Sequence, residues 1–155
     1  LATNSQIKVC CTTFADNSAL RLGGGVFSVQ GDPLFSKCTF TDNSCGGRIY
    51  QGARESGGAA FVTLGAATFE DGEFRDNECL AGDGGAVGSF LASATLRRCE
   101  FVSNAGARGG ACFGTDSELE LLECDFTDNR ARSVGWSAGA GFSSPCFFSS
   151  LLSLF

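Results

Sequence analysis

Apolar and polar side chains alternate along this chain in runs of three to five residues, as in Cys38-Thr39-Phe40 and Cys124-Asp125-Phe126, cut by glycine and by Asp-Asn pairs. An amphipathic helix would place apolar residues at i, i+3, i+4 and i+7, a spacing these runs lack. The pattern therefore predicts short strands separated by tight turns.

The runs recur. Phe14, Phe40, Phe74, Phe101 and Phe126 each stand three residues before an asparagine: Asn17, Asn43, Asn77, Asn104 and Asn129. A small-residue block follows each time, from Gly23-Gly24-Gly25 through Gly57-Gly58-Ala59, Gly84-Gly85-Ala86 and Gly109-Gly110-Ala111 to Ala138-Gly139-Ala140-Gly141. From the start of a block to the next such phenylalanine is always 17 residues (23 to 40, 57 to 74, 84 to 101, 109 to 126). From asparagine to block the distance varies: 6, 14, 7, 5 and 9. A fixed arc joined to an elastic loop describes a coil whose insertions leave at one corner. Units of this length bury their apolar face only against their neighbours. The expected fold is all-β: a right-handed parallel β-helix of about five rungs, with partial rungs at both ends. The hand follows from the preference of parallel crossovers.

Superimposing the rungs predicts ladders. Val9, Phe35, Phe69, Leu96 and Leu121 form one apolar column, and the five FxxN phenylalanines form another; both should point inward. Between them run Cys11, Lys37, Asp71, Arg98 and Glu123, alternating in charge from Lys37 onward and expected to face solvent. The asparagines should stack amide upon amide and occupy the left-handed backbone region at a corner. An acidic line, Asp16, Asp42, Asp76 and Asp128, should run beside them. The glycine pairs mark a bend with little room for a Cβ.

Residues 1–155 read as a single β-helix domain, a segment of a longer solenoid. Counting 17 from Ala138 reaches Phe155, so the apolar stretch 145–155 reads as the opening of a sixth rung or as a docking surface. At that length it is too short to span a bilayer.

A net charge of −6 with eleven dispersed basic residues argues against nucleic acid, which requires clustered Lys and Arg. Nine cysteines favour an oxidising, extracytoplasmic compartment. Cys45 and Cys79 both lie two residues after a ladder asparagine and are candidates for a disulfide; Cys99 and Cys124 are expected as stacked buried thiols. Cys10 and Cys11, adjacent in sequence, are expected on opposite faces.

With no histidine and no Cys-x-x-Cys pair, histidine-dependent catalysis and the usual zinc signatures are missing. Gly23-Gly24-Gly25 lacks the lysine of a phosphate loop. The densest acidic group is Glu70, Asp71, Glu73, Asp76, Glu78 and Asp83. Paired carboxylates could hydrolyse glycosides, but these are expected on different faces of one rung, without a basic partner from a neighbouring rung. Neither they nor the acidic line suggest six converging oxygens for calcium. The expectation is no catalytic residue, no metal and no cofactor. Arg48 and Tyr50 in the longest insertion, and Trp136 in the last loop, fall at the elastic corner and are the candidate binding residues.

The alternating FxxN and GGA-x motifs (Phe-Thr-Asp-Asn at 40–43, Phe-Arg-Asp-Asn at 74–77, Gly-Gly-Ala-Val at 84–87, Gly-Gly-Ala-Cys at 109–112) resemble the polymorphic outer membrane protein repeats of bacterial surface adhesins and some large eukaryotic secreted proteins. The resemblance spans nearly the whole chain and departs at Ala138-Gly139-Ala140-Gly141. It implies a secreted or surface-exposed β-helix acting in adhesion or as a scaffold, without catalysis, whose partner is a protein, a glycan or the rest of a longer β-helix; the mode of attachment stays open. The alternatives are an accessory subunit docked on a larger assembly, including a membrane assembly, through its apolar C-terminal end, and a remnant of a carbohydrate-active enzyme.

Overall fold

The computed structural model describes residues 2–3, 6–46, 56–79 and 81–132. Every regular element among them is a strand. The first turn runs through β1 (Ala2–Thr3), β2 (Lys8–Cys10), β3 (Thr13–Ala15) and β4 (Ser18–Ala19). The second has β5 (Val26–Val29), β6 (Leu34–Ser36), β7 (Thr39–Thr41) and β8 (Ser44–Cys45). The third has β9 (Ala60–Thr63), β10 (Ala66–Glu70), β11 (Glu73–Arg75) and β12 (Glu78–Cys79). The fourth has β13 (Val87–Phe90), β14 (Ser93–Arg97), β15 (Glu100–Val102) and β16 (Ala105–Gly106). The last has β17 (Cys112–Thr115), β18 (Glu118–Leu122), β19 (Asp125–Thr127) and β20 (Arg130–Ala131).

Equivalent strands of successive turns pair in parallel, giving four five-stranded sheets: β1-β5-β9-β13-β17, β2-β6-β10-β14-β18, β3-β7-β11-β15-β19 and β4-β8-β12-β16-β20. The described residues thus make four full turns of a β-solenoid and most of a fifth. The register is the predicted one: Phe14, Phe40, Phe74, Phe101 and Phe126 are paired in succession, as are Val9, Phe35, Phe69, Leu96 and Leu121. Rings of the first column stack face to face with centroids 4.7 to 4.8 Å apart. Phe35 and Phe69 stack at 5.0 Å and meet the first column edge-on. Phe40, Phe74 and Phe101 are fully buried, so the core is a shaft of aromatic rings between the second and third sheets.

Three of the four corners are single residues in the left-handed region. All fourteen non-glycine residues with positive φ among the described residues lie there: Gln30, Leu64, Leu91 and Asp116 at one corner; Cys11, Lys37, Asp71, Arg98 and Glu123 at the next; Asp16, Asp42, Asp76, Ser103 and Asp128 at the third. The left-handed turn at the asparagine corner is therefore made by the residue before each asparagine, correcting the expectation that the asparagine itself makes it. Asp, Asn and Ser bond locally and tolerate this backbone well, and the asparagine is released to point inward.

The fourth corner is the elastic one. Here the chain must pass close to its neighbours, because a Cβ at Gly58 would collide with the carbonyl oxygen of Gly85, and one at Gly85 with that of Gly110. Glycine is dictated there by space.

Candidate functional site

The elastic corner is built to hold loops on fixed feet. The nine residues 47–55 leave after Gly46, whose φ of +83° turns the chain out of the rung, and return at buried Ser56. One foot is bonded into the neighbouring rung: Cys45 and Cys79, in register on β8 and β12, form a disulfide with Cα atoms 4.7 Å apart. The other packs against the same bridge, with Ser56 Oγ 3.2 Å from Cys79 Sγ, and the Ser56 carbonyl accepts from Gly84 N–H at 3.1 Å. Arg48 and Tyr50, the sequence-derived binding candidates, lie in this insertion and outside the described residues. Trp136, the block 138–141 and the stretch 145–155 also lie outside them.

Beside these feet sits an ion pair that the sequence reading missed. Asp83, 2 % exposed, accepts both Arg108 Nε and Nη2, and the Arg108 guanidinium lies 4.4 Å from the Phe113 ring centroid. A buried carboxylate requires such a partner. The signal was present: Asp83 and Arg108 each directly precede a Gly-Gly pair, so rung alignment places opposite charges on adjacent turns.

The six clustered acids separate as expected, but the expectation that neighbouring turns supply no basic partner is corrected. Asp71 and Glu73 border a depression of about 320 Å³ with Arg98, Glu100, Glu123 and Asp125. Asp76 and Glu78 border another of about 480 Å³ with Asp128, Arg130 and Arg132. The stacking of equivalent corners on successive turns collects these side chains, a consequence that the single-rung view omitted. Arg98 binds both Asp71 oxygens (2.6 and 3.3 Å), Arg75 reaches Glu100 at 2.6 Å and Glu73 at 3.4 Å, and Arg132 reaches Glu78 at 3.0 Å. The Arg98 hydrogen bond, reinforced by the fields of Arg98 and Lys37, holds the Asp71 carboxyl below its ordinary range. Glu70 belongs to β10 and is half-buried. The described residues contain no cluster of three or more metal-binding side chains.

The thiols divide by position. Cys38, Cys99 and Cys124 form an inner column in which each Sγ faces two backbone carbonyls at 3.3 to 3.6 Å. The hydrogen bond with Cys124 and then burial push the Cys99 thiol up, so it stays protonated. Cys10 and Cys11 do not face opposite ways: both are exposed and their sulfurs lie 2.7 Å apart. Alternation across a strand ends at Cys10, and the left-handed Cys11 brings its side chain back to the same side.

No described helix is long and apolar enough to cross a membrane. Compared with protein-family models, curated proteins and solved structures, the chain matches none.

Proposed function

We propose that this protein is a non-catalytic structural and adhesive β-helix of an extracytoplasmic compartment, binding its partner through the loops of the elastic corner. The observation that carries this reading is the anchoring of insertion 47–55: one foot is fixed by the Cys45–Cys79 bridge and the other is packed on it. Loops on a rigid scaffold present contact residues without a large ordering cost, and this insertion contains Arg48 and Tyr50. A disulfide suits an oxidising compartment. The FxxN and GGA-x resemblance points the same way. Arginines compensate several of the grouped acids, Arg98 and Arg108 from the adjacent turn at Asp71 and Asp83, Arg132 from two turns away at Glu78 and Arg75 within its own strand at Glu73, an arrangement that suits a solvated, register-holding surface better than a poised acid and base pair.

The test uses fluorescently labelled chain on a glycan array and on intact cells. Saturable binding is expected, lost when residues 47–55 are replaced by a short Gly-Ser turn, with circular dichroism and the Cys45–Cys79 bridge unchanged. Binding that survives this replacement contradicts the loop assignment. Hydrolysis of any arrayed glycan, abolished by Asp76→Ala, contradicts the non-catalytic one.

A further inference from the structure

The corner between the second and third sheets carries two consecutive residues in every turn: Cys10 and Cys11, Ser36 and Lys37, Glu70 and Asp71, Arg97 and Arg98, Leu122 and Glu123; the second is always exposed, and both are exposed at Cys10-Cys11 and Arg97-Arg98. In each pair the second residue has a φ between 51° and 53°, which cancels the usual alternation. Only the first turn places two thiols there. Their separation of 2.7 Å is closer than unbonded sulfurs rest in van der Waals contact. The other free cysteines among the described residues are buried or half-buried.

We infer that Cys10 and Cys11 form a modification site, a vicinal dithiol that closes to an eight-membered disulfide ring by exchange with a disulfide donor. One sulfur, as thiolate, attacks the donor disulfide and expels the first donor thiolate. The second sulfur then attacks the resulting mixed disulfide at its neighbour and expels the other. The pair loses two electrons and two protons, and the donor disulfide becomes two thiols. The donor is a low-molecular-weight disulfide or a dithiol oxidase of the compartment that forms Cys45–Cys79. Closure fixes the χ angles at a corner already in the left-handed conformation, and reduction returns two exposed thiols.

The chain is isolated without reductant, alkylated in the native state, unfolded and digested with trypsin. Residues 9–21, between Lys8 and Arg21, contain no other cysteine, so this peptide reports the pair alone. The expected peptide is unalkylated and two hydrogens light, and it accepts two alkyl groups only after reduction. In the reduced chain, phenylarsine oxide, which bridges paired thiols, should protect this peptide from alkylation, and Cys11→Ser should remove that protection. The linked peptides 38–48 and 76–97, carrying Cys45 and Cys79, confirm that the sample met oxidising conditions. If that link is present while 9–21 carries two alkyl groups, or is joined to another peptide or a small thiol, the inference is overturned. Failure of phenylarsine oxide to protect the reduced peptide overturns it equally.

Discussion

Asn77 shows what one residue contributes to the stack. Its Oδ1 accepts from Asn43 Nδ2 (3.0 Å) and Asn43 N–H (3.1 Å), and its Nδ2 donates to Asn104 Oδ1 and to the Phe40 carbonyl, both at 2.9 Å. All four bonds form where the side chain has no solvent exposure. Few side chains supply two donors and a doubly accepting oxygen in one plane, which selects asparagine at this depth. Asn77→Ala would orphan groups on both neighbouring turns, each costing about 1–3 kcal/mol. We expect a loss of about 3 kcal/mol or more in denaturant unfolding, and a comparable loss for Asn77→Asp, whose carboxylate would face two acceptors. Asp71 offers a gentler test. Its folded pKa is depressed, so its contribution to stability is present above the unfolded value and fades as pH falls through the folded one. An NMR titration should place this carboxyl below 3.8. In Arg98→Gln it should move upward; an unmoved value would show the ion pair absent in solution.

At the scale of elements, the Cys45–Cys79 bridge closes 34 residues of sequence, including the longest insertion. A loop of that size constrains the unfolded chain by about 3–4 kcal/mol. The double variant Cys45→Ala/Cys79→Ala should therefore unfold at lower denaturant with an altered m-value, and proteolysis should begin within residues 47–55. Much of this architecture was readable from the chain itself. The constant 17-residue arc fixed the register of the second and third sheets, since a one-residue slip would expose Phe40 and Phe74. Two local features resisted. The turn at Asp42 and Asp76 was assigned to the following asparagines because Asn and Asp both tolerate positive φ, and only burial tells them apart. Cys10 and Cys11 were placed by strand alternation, which a left-handed corner interrupts. The candidate binding residues were legible only as loop positions, because Arg48, Tyr50 and Trp136 belong to the arc whose length varies, where no register constrains a side chain.

At the scale of the molecule, the described residues form a shaft of stacked rings wrapped by four sheets, and the proposed role depends on that stiffness. In the proposed role, a partner would meet the loops of successive turns as a row along the elastic corner. Such a scaffold holds only if every turn stacks on the one before. The measurement that tests this most directly is the set of nuclear Overhauser contacts from the side-chain amides of the FxxN asparagines in the intact chain. The amides of Asn17, Asn43, Asn77 and Asn104 are each expected to contact the next asparagine in the order 17, 43, 77, 104, 129, and those of Asn43, Asn77, Asn104 and Asn129 the FxxN phenylalanine of the preceding turn, without a break. Contacts that skip a turn, or amides exchanging freely with water at Asn43, Asn77 and Asn104, would contradict the stack.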